Sequence, residues 1–115
     1  AVEEAKKYLG VPYVWGGTTP DGFDCSGLVQ YVYGKLGVSI SRTSYTQVND
    51  GRAVSKDELK AGDLVFFANK TDGVHHVAMY IGNGNIIHAP YTGDVVKIIP
   101  LSSRDDYYSA RRIVD

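Results

Sequence analysis

The chain of 115 residues carries one cysteine and three histidines, and their neighbours suggest covalent catalysis. Cys25 sits in Phe23-Asp24-Cys25-Ser26-Gly27, just where a turn-rich run from Gly16 to Gly22 gives way to an apolar helical stripe, Leu28, Val29, Val32 and Leu36. A thiol at a helix start faces unpaired N–H groups and the positive end of the dipole, both of which favour thiolate and lower its pKa. The same N–H groups can hold the oxyanion of a tetrahedral intermediate. A free cysteine can equally be a small buried hydrophobe, and position alone does not separate the two readings.

Two histidines bear on that choice. In His75-His76-Val77-Ala78-Met79-Tyr80-Ile81 the odd positions after His75 are large and apolar, while His76, Ala78 and Tyr80 share the other face. Small Ala78 leaves room beside His76, so His76 is the available imidazole and His75 a packed or rim residue, structural in role. Whether His88 reaches His76 depends on the hairpin between them. A two-residue turn at Asn83-Gly84 would place His88 opposite Met79, on the wrong face. A three-residue loop, Gly82-Asn83-Gly84, pairs Ile81 with Asn85 and puts His88 across from Ala78, diagonal to His76. A catalytic site requires the second register, with Gly84 as the left-handed residue.

The chemistry served is a nucleophile, a base and a group that orients the base. Cys25 attacks a carbonyl, and His76 takes its proton and returns it to the leaving amine. His88 bonds the far nitrogen of His76 and fixes its tautomer. A neutral third member suffices, because thiol and imidazole can exist as thiolate and imidazolium. A cationic His88 would oppose that pair, so activity should fall in acid.

The elements that must position these groups follow from periodicity. A short helix is expected over about 1–9 and a second from Cys25 to the stop at Gly37. One or two turns follow over Ser44 to Asn49, closed by Gly51. Ser55-Lys56-Asp57-Glu58 reads as a capping box on a single turn. Strands are expected over Asp63 to Ala68, Val74 to Ile81, Asn85 to Ala89, Val95 to Ile99 and Tyr107 to Val114. Helices first and strands afterwards, joined by short connections, make an α+β domain with an antiparallel sheet. No repeat or low-complexity segment interrupts the chain.

Composition removes several function classes. Apolar residues are 43% and charged residues 22%, an ordinary globular balance, in keeping with a single domain. Twelve basic against 13 acidic residues leave a net charge of -1, which does not suit an electrostatic nucleic-acid binder. The longest apolar run, Leu64 to Ala68, is far too short to insert in a bilayer. One cysteine allows no internal disulfide. Cys25, His75, His76 and His88 are possible metal ligands, but no His-Glu-x-x-His spacing appears and a helix-start cysteine suits a nucleophile better; no metal or cofactor is called for. Ala1-Val2-Glu3-Glu4 lacks the basic and apolar stretches of a signal peptide and reads as the first turn of a helix, so a boundary made by cloning or processing is expected.

Six segments together resemble the NlpC/P60 family of papain-like cysteine peptidases, which cut bacterial cell-wall peptides. They are Pro12 to Gly17, Asp24 to Val29, Ser41 to Ser44, Gly62 to Phe67, His76 to Gly82 and Ile87 to Ala89. Each is weak alone, but they keep the family's order and span nearly the whole chain. The resemblance implies a papain-like fold, N-terminal helices packed on an antiparallel sheet of about five to six strands. It implies a peptidoglycan hydrolase cutting the bond between γ-linked D-glutamate and the following diamino acid, diaminopimelate or lysine, through a thioester acyl-enzyme.

By position, the resemblance makes Cys25 the nucleophile, His76 the base and His88 the third member. It places Tyr13 on the oxyanion side, and Asp24, Ser26, Arg42 and Ser44 around the L-Ala end of the substrate. Some relatives that demand a free N-terminal L-Ala have an acid where Thr43 stands, so cleavage of intact stems is favoured here. The partners implied are peptidoglycan stem peptides and, in a longer secreted or wall-associated protein, a wall-binding or lysozyme-like domain; the catalytic domain itself is expected to be a monomer. Plainer roles compete at several positions: Tyr13 and Trp15 as core aromatics, with Trp15 the stronger case, Asp24 as a helix cap, Arg42 as a solvated charge and Asp63 as a turn residue. A CHAP-type amidase would use the same Cys–His pair but usually a non-histidine third member. A non-catalytic wall-binding module would tolerate loss of the thiol.

Overall fold

The computed structural model describes residues 1–114. Helix α1 (Val2–Lys6) is shorter than its apolar spacing predicts. The chain leaves the helix because tertiary bonds capture it: Gly10 N–H donates to Val96 O at 2.9 Å, with Gly10 at a φ of 87°. Helix α2 (Cys25–Lys35) begins where Asp24 caps it, Asp24 Oδ1 accepting from Gly27 N–H at 2.6 Å. It ends as Gly37 takes a φ of 81° and Val38 N–H returns to Tyr33 O. Helix α3 (Ser44–Gln47) is a single turn. The Ser55 hydroxyl donates to Glu58 Oε1 at 2.7 Å and neither side chain takes a backbone N–H, so the expected capping box is replaced by a side-chain pair on a 3-10 turn at Lys56–Glu58.

Two very short strands, β1 (Thr18–Thr19) and β2 (Gly22–Phe23), form a small hairpin just before α2. The main sheet contains β3 (Arg52–Val54), β4 (Leu64–Asn69), β5 (Gly73–Gly82), β6 (Asn85–His88), β7 (Lys97–Pro100) and β8 (Tyr107–Arg112). Its order is β3-β8-β4-β5-β6-β7 and every pairing is antiparallel. Strands β1 to β3 are two or three residues long, too short to show a period in the sequence.

Alternation divides the sheet into two apolar faces. Leu64, Phe66, Val77, Met79 and Ile87 join Leu28, Val29 and Val32 of α2 in the larger core. Val65, Phe67, Ala78, Ile86 and Leu101 form a second cluster. Asp63, expected in an ordinary turn, is buried at the start of β4, where both its oxygens accept from the Arg112 guanidinium at 2.8 Å.

The β5–β6 hairpin reaches its register by a route the sequence reading did not contain. Asn83 and Gly84, at φ of 54° and 80°, make a two-residue turn closing on the pair Gly82–Asn85. A bulge between Tyr80 and Gly82 then absorbs one residue, so that Tyr80 pairs with Ile86 and Met79 with Ile87. Alone, this turn would send His88 to the wrong face; the bulge reverses that effect.

Candidate active site

A cleft of about 530 Å³ opens at the start of α2. Cys25 and Ser26 lie at its base, Tyr13, Trp15 and Gly16 come from the preceding loop, and Arg42 to Tyr45 come from α3 and its approach. The loop is tied down by main-chain bonds: Tyr13 N–H to Asp94 O, Phe23 N–H to Pro12 O, and Asp24 N–H to Gly17 O at 3.0 Å. Gly27 makes this approach possible. A Cβ there would stand 2.0 Å from Gly17 O, far inside contact distance.

Asp24 and Arg42 each do more than their plainer readings allow. Besides capping α2, Asp24 Oδ2 accepts from Arg42 Nη2 at 2.8 Å, and Arg42 Nη1 donates to Ser26 Oγ at 2.9 Å. Gln47, fully buried, anchors this wall by donating to Ser26 O and Ser41 O. Ser44 is buried beside it. Trp15 contradicts the core reading: it is 86% exposed at the cleft rim. Tyr13 is half-buried, packing on the core while lining the cleft. Burial first, then the neighbouring Cys25 and Asp24, push its hydroxyl pKa up, so it stays a proton donor.

The thiol departs from expectation in one respect. Burial pushes the Cys25 pKa up, and the N–H groups of Val77, Ser26 and Cys25 itself pull against that without overcoming it. The helix start therefore moderates a desolvation cost that is larger. The Val77 N–H belongs to the residue following His76, and β6 ends at His88, leaving that stretch of β5 with no β6 residue opposite.

His76 and His88 come together as a buried pair, His76 Nε2 standing 2.8 Å from His88 Nδ1. The rings are edge-on, their centroids 5.0 Å apart. Burial, then His88 and Arg104, hold the His76 pKa well below the usual imidazole value. Burial, then Arg104 and Lys97, bring His88 down to about 4. Both rings are thus neutral at neutral pH. If Nε2 of His76 carries the hydrogen and donates to His88, its Nδ1 is an open acceptor. His88 then holds its own hydrogen on Nε2, which is buried without a partner among the described residues.

Cys25 and His76 share no hydrogen bond in this resting arrangement, and the imidazole that lines the cleft is His75, exposed at the rim, the second of its two expected placements. His75 Nε2 also lies 3.2 Å from Asp106 Oδ2. Arg104 and Asp106, which surround the imidazoles, carried no signal in the sequence, and Phe67 only that of a strand and a resembling segment; they come from β4 and the approach to β8, which sheet pairing brings beside β5. Among the described residues no cluster of three or more acidic, His or Cys side chains is arranged to hold a metal ion.

The description of the NlpC/P60 family matches residues 10–114. The chain is 47% identical to a gamma-D-glutamyl-L-lysine dipeptidyl-peptidase of Bacillus cereus, covering 96% of this chain and 35% of that protein. A crystal structure of an NlpC/P60 family protein from Bacillus cereus superposes with a TM-score of 0.94 at 44% identity, over 100% of this chain and 41% of that one. The NlpC/p60 domain of the peptidoglycan hydrolase SagA gives 0.87 at 42% identity, over 96% and 94%. The chain thus spans about a third of the length of the Bacillus cereus peptidase.

Proposed function

The chain belongs to the NlpC/P60 family, and on that premise we propose that its cleft is the active site of a cysteine peptidase of the bacterial cell wall, cutting peptidoglycan stems between γ-linked D-glutamate and the next diamino acid. The observation that carries this reading is the buried His76–His88 pair, set one residue from the Val77 N–H that faces the thiol.

The Cys25 S–H proton passes to His76 Nδ1 as sulfur attacks the γ-carbonyl carbon. The hydrogen bond between them, not made at rest, forms when substrate fills the cleft, as catalytic hydrogen bonds commonly tighten only in the substrate complex. The carbonyl oxygen takes the negative charge, facing backbone N–H groups at the α2 start and the Tyr13 hydroxyl. Collapse breaks the C–N bond, and the His76 imidazolium gives its proton to the departing amine. A thioester remains. Water, deprotonated by His76, attacks it, releasing the D-glutamyl carboxylate and restoring the thiol. His88 Nδ1 accepts from His76 Nε2 throughout, stabilising the imidazolium that forms.

Asp24, Ser26, Arg42 and Ser44 hold the L-Ala end. Thr43 hydrogen-bonds its neighbour Thr46, Oγ1 to Oγ1 at 2.7 Å, and offers no carboxylate to a free ammonium, which favours stems still attached through L-Ala. The chain is the catalytic domain of a longer secreted or wall-associated hydrolase whose remaining length supplies wall binding.

Incubation with purified peptidoglycan, followed by mass spectrometry of the fragments, tests this. New ends at D-glutamate, absent with Cys25→Ala, are expected. Ends elsewhere on the stem, or equal cleavage by Cys25→Ala, would overturn it.

A further inference from the structure

Behind the imidazole pair lies a second layer that no step above uses. Phe67, fully buried, packs on His76 with ring centroids 5.6 Å apart. The Arg104 guanidinium lies over the Phe67 ring, 4.3 Å from its centroid. Its orientation is not free: Nε and Nη2 fork onto the two oxygens of Asp106 at 3.0 and 2.8 Å. Asp106 also meets His75 Nε2, and its carbonyl accepts from Ala68 N–H, the residue after Phe67. One ion pair therefore grips the residue before His76 and, through Phe67, the ring of His76 itself.

We propose that Arg104 is a positioning residue of this site, acting through Phe67 and Asp106 to hold the His76 ring where its Nε2 meets His88 Nδ1. The inference rests on His76 being the base. Arg104 does not line the cleft, so it acts on the base without touching substrate.

The surrounding charges give the arrangement a second consequence. His76 is faced by His88 from β6, by His75 from its own strand, and by Arg104 and Asp106 from the segment before β8. His88 is faced by Arg104 and by Lys97 and Asp94, themselves paired at 2.7 Å. Arg104 is the cation common to both rings and opposes a proton on either. Asp106, opposite in sign, favours one on His76. Removing the two partners should therefore move the titration in opposite directions, which mere loss of packing would not do.

The test is ¹⁵N NMR titration of the histidines in the Cys25→Ala chain, beside pH profiles of kcat and KM in the active chain. Arg104→Met should move the His76 and His88 titrations and the acid limb of kcat/KM to higher pH. It should lower the population of the His76 Nε2–H tautomer and reduce kcat about tenfold with KM nearly unchanged. Asp106→Asn should move the His76 titration to lower pH, and Arg104→Lys should keep both titrations near wild type. Folded Arg104→Met with wild-type titrations and tautomer overturns the proposal. Should that variant not fold, Asp106→Asn decides, an unchanged His76 titration overturning it. Titrations that shift as expected in a chain without peptidase activity would support Arg104's effect on the rings and sink the catalytic reading instead.

Discussion

His76 and His88 lie twelve residues apart in sequence and 2.8 Å apart in space, nitrogen to nitrogen, in a buried pair that is neutral at neutral pH. The hairpin between them converts a local turn into a catalytic-type hydrogen bond. Both the protonation behaviour and the stability of the protein should follow from it.

The thiol should behave as a protonated group at rest. Its pKa is raised above 9.0 by burial, and neither imidazole is charged at neutral pH. Alkylation of Cys25 by iodoacetamide should be slow at pH 7 and still climbing as pH passes 9. A rate already level below neutrality would mean a preformed thiolate–imidazolium pair and a different resting state.

The pair should also make the fold acid-sensitive. The folded His88 pKa is about 4 against an ordinary 6.5, so between those values the unfolded chain binds more protons. Its stabilising contribution is whole above about pH 6.5 and lost as pH falls through about 4, on the order of 3 kcal/mol. Urea midpoints at pH 7 and pH 4.5 should differ clearly in the wild type and less in His88→Gln. An equal drop in both would detach the effect from His88. His88→Gln should also lower kcat by up to roughly ten-thousandfold, as loss of the orienting member of a triad does.

Gly27→Ala should reshape the cleft by a single methyl group. The new Cβ would meet Gly17 O at 2.0 Å and the Asp24 carboxylate at 2.8 Å, so the loop must move. About 1–3 kcal/mol of stability should be lost, with KM raised. Thermal melts and steady-state kinetics measure both, and wild-type values for each would show that the loop is not pinned there.

Trp15 offers a direct readout of binding, being the chain's one tryptophan and 86% exposed at the cleft. Trp15→Ala should leave stability within about 0.5 kcal/mol, as for exposed side chains generally. Stem peptide added to Cys25→Ala should shift tryptophan emission to the blue. Unchanged emission at saturating peptide would place the ligand away from this rim.

The helix that opens on Cys25 and the five longer strands were legible because each repeats its period long enough to be read. The strands β1 to β3 were not, since two or three residues have no period. His76 was distinguishable from His75 by the small Ala78 two positions on. Trp15 was misread as core because burying so large a ring is the usual outcome. Arg42 and Asp24 were readable as candidates, but their contact joins α2 to the approach of α3 and is no local property.

The order of residues by itself determined the place of Cys25 at a helix start, the small neighbour beside His76 and the α+β architecture, because these depend on near neighbours and on period. Only the tertiary structure decided the bulge that brings His88 to His76, the burial that outweighs the helix dipole at Cys25, and the Arg104–Phe67–His76 layer. Register, desolvation and long-range charge depend on which distant segments come to share a face, and that is settled when the sheet closes.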